Sequence, residues 1–100
     1  MLYKVIKEIL NESKEQGKDI GVATDMLISK GADTNIYNNA LNVLRKNYNA
    51  ITTFNREGKE ELIVELCNLV ESADNEGLAV FLEKHDKFIK MSIAKAKTAN

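Results

Sequence analysis

Proline and tryptophan are absent from this 100-residue chain, and glycine (five residues) and cysteine (one residue) are scarce. Without proline, long helices meet no covalent obstacle, whereas a β-sandwich of this length would need more Gly and Pro turn signals. The lone cysteine excludes an intrachain disulfide and a cysteine-based metal cluster. These absences favour an all-α protein of a reducing compartment.

The chain also lacks a strong excess of charge and any long apolar run. Its formal net charge is −1, so no global basic field would hold a phosphate backbone. No apolar run approaches the roughly 18 residues that span a bilayer, and the first turns alternate charge, unlike a signal peptide. We therefore expect a cytoplasmic protein with no membrane partner.

Residue usage suggests a genomic origin. Lysine outnumbers arginine, and Asn and Ile are frequent. This bias is typical of AT-rich coding sequences, and we take a phage- or plasmid-borne gene as a hypothesis. A native gene of ordinary GC content would contradict it.

Apolar residues recur every three or four positions, which is the period of one helix face. The densest apolar stretch lies in residues 62–73. One helical stripe consists of Leu62, Leu66, Leu69 and Ala73, and the residues beside it that widen the apolar face are Ile63, Cys67 and Val70. Similar stripes and capping residues predict helices over residues 2–16, 19–30, 34–56, 59–73 and 76–97. Within the third, residues 47–49 are the expected breakpoint if the helix is not continuous, because asparagine is a poor helix former.

These stripes predict one all-α domain of residues 1–100, a compact bundle of about five helices. Asp74-Asn75-Glu76-Gly77 is a short connection with capping side chains, so the last two helices should form an antiparallel hairpin. Charge is segregated along this hairpin. Eight acids and one lysine occupy residues 57–83, whereas five lysines and one acid follow from residue 84. The two segments either complement each other within the hairpin or dock a charged partner.

Few residues have the spacing of a catalytic or metal site. His85 is the sole histidine and has no further ligands at matched spacing, so we expect it to pack within its apolar stripe. Cys67 lies mid-helix without a basic neighbour and should behave as a small buried hydrophobe. No phosphate loop is present. We therefore predict no enzyme activity and no catalytic, cofactor-binding or metal site.

Residues 20–51 resemble the helix-turn-helix of small transcription regulators. A short helix leads to a turn at Gly31-Ala32-Asp33 and then to a helix with one polar face, although Gly31 lies farther from Ala23 than the motif usually has it. The resemblance implies DNA binding, with Asn reading adenine edges and Arg and Lys holding phosphates. The residues that would face the groove are Thr34, Asn35, Asn38, Asn39, Asn42, Arg45 and Lys46.

The preferred hypothesis is a non-enzymatic protein-binding module, such as a small regulator, inhibitor or immunity-type protein. It rests mainly on exclusion and on a few apolar residues. Val80 and Met91 face outward on the last helix, whereas Val22 and Met26 form a second stripe that is either wedged between neighbouring helices or a contact surface. The identity of the partner does not follow from the sequence. A homodimer through the same surface and DNA binding through residues 20–51 are the alternatives.

Overall fold

The computed structural model describes residues 1–98, which form six α-helices and no strand. The helices are α1 (Leu2–Gln16), α2 (Ile20–Ser29), α3 (Thr34–Lys46), α4 (Tyr48–Arg56), α5 (Glu60–Glu71) and α6 (Asn75–Thr98). The predicted all-α class is confirmed. The chain divides into an N-terminal unit, Met1–Lys46, with α1–α3, and a C-terminal unit that begins at Asn47, with α4–α6. That residues 1–100 fold as one domain stays a prediction.

The helix predicted over residues 34–56 is not continuous, so the described chain has six helices rather than five. Asn47 departs from helical geometry, with φ −118° and ψ 31°. Its carbonyl accepts the N–H of Ile51 at 2.9 Å and so starts the hydrogen bonds of α4. The break lies where the sequence placed it, because an asparagine side chain competes for local backbone groups and weakens a helix interior.

Aspartates begin three of the helices. Asp19, Asp33 and Asp74 each accept the backbone N–H three residues later, at 3.0, 3.1 and 2.8 Å respectively. Each carboxylate satisfies a donor that the first helical turn would otherwise leave unpaired. These caps set where α2, α3 and α6 start.

The N-terminal unit is held by mutual packing of α1, α2 and α3. Its largest fully buried side chains are Ile6, Ile9 and Leu44. One polar link joins two of the helices, because the Tyr37 hydroxyl on α3 donates to Glu8 Oε2 on α1 at 2.5 Å. This hydrogen bond, together with burial and the negative charge of Glu8, raises the pKa of Tyr37 to about 12.

The C-terminal unit is held by packing of α4, α5 and α6 on one another. Burial on α5 centres on Ile63, Leu66 and Cys67. The predicted central stripe is therefore rotated, since Leu62 and Leu69 are half-buried and Ala73 is exposed. Residues 72–74 join α5 to α6, which pack together, while the antiparallel hairpin itself stays a prediction.

Candidate interaction surfaces

One side of α6 is exposed and combines apolar with basic residues. Val80 and Met91 are 66% and 63% exposed, although large apolar side chains usually gain from burial. Helical spacing places three exposed lysines on the same side, with one exposed acid, Glu83, at its edge and four residues before Lys87. Asp86 lies farther round the helix and pairs with Lys90 at 3.0 Å. We call this side the α6 surface: Val80, Lys84, Lys87, Met91 and Lys95.

A cavity of about 280 Å³ opens beside Met91, lined by Glu57 from the end of α4 and by Phe88, Met91, Ser92 and Lys95 of α6. Ligand pockets for small molecules measure about 300–1,000 Å³ and enclose most of the ligand. This groove is at the bottom of that range. Its size and mostly apolar lining suit one or two side chains of a protein partner.

A polar bridge forms the floor of the groove. Ser92 is buried, and its Oγ donates to Glu57 Oε2 at 2.5 Å and accepts from Arg56 Nη2 at 2.9 Å. The hydroxyl therefore ties the C-terminal end of α4 to α6. This bridge was not predicted from the sequence. The available signal was a serine, Ser92, within an otherwise apolar helical stripe, which indicates a buried hydroxyl that needs hydrogen-bond partners.

The other predicted partner residues, Val22 and Met26, lie on α2 of the N-terminal unit. Val22 is 42% exposed, whereas Met26 is half-buried. Val22 and Met26 therefore belong to a different unit from Val80 and Met91. Ile36 and Tyr48 have the helical spacing of core residues but are exposed, although Tyr37 and Ile51 in the same first turns are buried.

The seven residues of the helix-turn-helix resemblance are all exposed on α3: Thr34, Asn35, Asn38, Asn39, Asn42, Arg45 and Lys46. Residues 30–33 join α2 to α3, a connection of the length that such motifs use. The resemblance extends to residue 51, but α3 ends at Lys46 and residues 48–51 belong to α4.

Two features of this surface bear on phosphate binding. Asp33 places a carboxylate at the start of α3, where a phosphate would otherwise meet free backbone N–H groups. Arg45 is also close to α2, because a Cβ built on Gly21 would lie 2.7 Å from Arg45 Nη2. The basic end of α3 therefore consists of Lys46 and an arginine held near the first turn of α2.

His85 packs among aromatic rings, as its place in the stripe predicts. Its ring centroid lies 5.7 Å from that of Phe54 and 4.7 Å from that of Phe81. Cys67 is buried, and this burial, reinforced by the charge of Glu71, raises the pKa of its thiol to about 11. At neutral pH the thiol is thus protonated and shielded, which makes it a poor nucleophile.

Within residues 1–98, no three His, Cys, Asp or Glu side chains are grouped so that they could hold a metal ion. None of the helices in that range has the length and hydrophobicity that crossing a membrane requires. Comparison of the chain with protein-family models, with curated proteins and with solved structures finds no match.

Proposed function

We propose that this protein is a non-enzymatic, cytoplasmic binding module that captures a protein partner through the α6 surface. The observation that carries the proposal is Met91, an exposed apolar side chain beside the groove lined by Phe88 and Ser92. Energy at protein interfaces concentrates in a few anchors that fill pockets, inside a polar rim. Met91 would insert into the partner, the groove beside it would accept a side chain of the partner, and the lysines would form the polar rim.

Affinity capture from the native host tests the proposal. Wild-type protein, Met91→Asp and the matched control Ala79→Asp are immobilised, since both substitutions add one carboxylate at an exposed position of α6. We expect wild type and Ala79→Asp to retain the same partner in stoichiometric amount. Met91→Asp should lose at least about 1.4 kcal/mol of binding, which is a tenfold weaker affinity.

Thermal unfolding of the three proteins controls for folding. Because Met91 is exposed, its replacement should leave the melting temperature close to that of Ala79→Asp. A partner that Met91→Asp retains as well as wild type does would refute this site.

We propose DNA binding through α3 as the second candidate. The supporting observation is that all seven candidate side chains are exposed on one helix, after a turn closed by Gly31 at φ 106°. Asparagine side chains can bind adenine edges in the major groove. DNA binding is the second candidate because the carboxylate of Asp33 and the −1 net charge of the chain would repel the phosphates of DNA.

Fluorescence anisotropy with AT-rich duplexes tests the second candidate. The expected result is binding at about 50 mM salt that weakens steeply toward about 200 mM. Lys46→Ala should weaken binding to all sequences, whereas Asn38→Ala should reduce discrimination between sequences. Absence of binding at low salt would exclude the candidate.

A further inference from the structure

Within residues 47–98, no ion pair involves Lys84, Lys87 or Lys95, and the one acid beside them on α6 is Glu83. Lys84 and Lys87 lie one helical turn apart, and Lys95 follows Met91 by four residues. In residues 47–98, no ion pair joins these lysines to Glu61 or Glu65 of α5. Like charges one turn apart oppose each other by a few tenths of a kcal/mol, so a facing acidic surface would relieve them.

Such an acidic surface exists on α5 of the same unit. Glu61, Glu65 and Asn68 are exposed on one side, beside the half-buried Val64. No basic residue occurs in α5. We call these four residues the α5 surface. Because α5 and α6 pack through their buried faces, both charged surfaces remain open to solvent.

We propose that the α6 surface binds the α5 surface of a second copy of this chain. The inference rests on the proposed function, because it names the protein that the α6 surface captures. Each chain carries both the basic α6 surface and the acidic α5 surface, so a two-fold dimer makes the contact between them twice. In each contact, Lys84 and Lys87 of one copy face Glu61 and Glu65 of the other. Val64 of one copy then supplies apolar area against Met91 of the other.

The size of the two surfaces sets the strength of the dimer. At about 1.5 Å per residue, α6 is roughly 36 Å long and α5 roughly 18 Å, and each is about 10 Å wide. Because α5 limits each contact to about 18 Å by 10 Å, the two contacts cover roughly 360 Å² per copy, less than half the about 800 Å² of a standard interface. The dimer is therefore weak, forms at high micromolar concentration, and dissociates as salt rises.

Sedimentation equilibrium at about 100 μM protein, in low and in moderate salt, tests the inference. Wild type should approach twice the monomer mass in low salt and return to the monomer in moderate salt. Lys84→Glu with Lys87→Glu, and separately Glu61→Lys with Glu65→Lys, should each weaken the dimer at least tenfold. An equimolar mixture of the two variants should restore it, because each reversed surface then faces its opposite.

Two controls keep the outcome interpretable. Lys14→Glu with Lys18→Glu changes net charge equally at exposed positions of the N-terminal unit and should leave the dimer intact. Glu61→Gln with Glu65→Gln removes the acids without placing a lysine in the first turn of α5. If the reversed variant does not fold, the Gln variant should still weaken the dimer, and no restoration is expected when it is mixed with Lys84→Glu and Lys87→Glu.

Wild type that stays monomeric in low salt, or a mixture of the two charge-reversed variants that fails to restore the dimer, overturns the inference. Binding of the monomer to an unrelated acidic protein or to anionic vesicles through Lys84 and Lys87 overturns it too and identifies another occupant. If the copies do not associate but Met91→Asp still loses a host protein, the proposed function stands without the second copy.

Discussion

The two units have three helices each but differ in what they bury. The N-terminal unit buries aliphatic residues, and its link between Tyr37 and Glu8 ends in a solvent-exposed carboxylate. The C-terminal unit buries Phe54 between two other rings and places the Ser92 hydroxyl between an arginine and a glutamate. Both units bury aliphatic side chains, such as Leu44 and Ile63, and the C-terminal unit adds an aromatic cluster and a buried hydroxyl.

The largest test of this contrast removes an aromatic ring. Phe54→Ala should lower the free energy of unfolding by about 3–5 kcal/mol, because Phe54 is fully buried against Phe81 and His85. Leu44→Ala, also fully buried, is the counterpart in the N-terminal unit and should cost about 2–5 kcal/mol. Urea unfolding followed by circular dichroism measures both.

The same variants test the predicted single domain. Amide resonances of both units should vanish together as urea rises if residues 1–100 unfold as one cooperative domain. Resonances of α1–α3 that survive the loss of those of α4–α6 in Phe54→Ala would show that the units unfold separately.

Alkaline pH should weaken the N-terminal unit through Tyr37. The hydroxyl ionises near its ordinary pKa of 10.0 in the unfolded chain but near 12 when bonded to Glu8, so unfolding releases a proton between these values. Stability therefore falls as pH rises from about 10 to about 12. Tyr37→Phe removes this component, and an identical alkaline decline in that variant would contradict the assignment.

Loss of the Ser92 hydroxyl tests the polar bridge of the C-terminal unit. Ser92→Ala should cost about 1–2 kcal/mol, since it removes two hydrogen bonds to charged groups that water can partly replace. Ser72→Ala is the control, because its hydroxyl is exposed and bonds only the Leu69 carbonyl, at 3.2 Å. Equal melting temperatures for the two variants would show that the bridge contributes nothing to folding.

The smallest effects are expected at two helix ends. Gly17 after α1 and Ala73 after α5 both have left-handed backbone, with φ of 61° and 56°. Glycine adopts this conformation without strain, whereas alanine does so at a cost of about 1 kcal/mol. Ala73→Gly should therefore stabilise the protein by up to about 1 kcal/mol, and Gly17→Ala should destabilise it similarly. Thermal unfolding that shifts in the same direction for both would refute the argument.

Helix positions were predictable where a local signal exists. Gly17 and the aspartates at 19, 33 and 74 act through bonds to residues a few positions away, and sequence shows such neighbours directly. Asn47 was recognisable as a weak point, but whether the helix broke there depended on packing that no local pattern reports. The sequence predicted about five helices, and residues 1–98 form six because the helix breaks at Asn47.

Side-chain surroundings were less predictable because they depend on which helices meet. Ile36 and Tyr48 have the right period for the core but are exposed, while Tyr37 and Ile51 in the same first turns are buried. The Ser92 bridge joins residues 35 and 36 positions apart, which periodicity does not reveal. Exposure of Val80 and Met91 followed from their position off the stripe. Their use as a binding surface is a matter for the capture experiment.

Cys67 has a practical consequence. It is the sole thiol of the sequence, and it is buried on α5 at 1% exposure. A thiol-specific dye can modify it only when the structure opens around α5, so the rate of labelling counts spontaneous openings at that helix. Cys67 is thus a native probe of local unfolding around α5, and its labelling rate can be measured without introducing another cysteine.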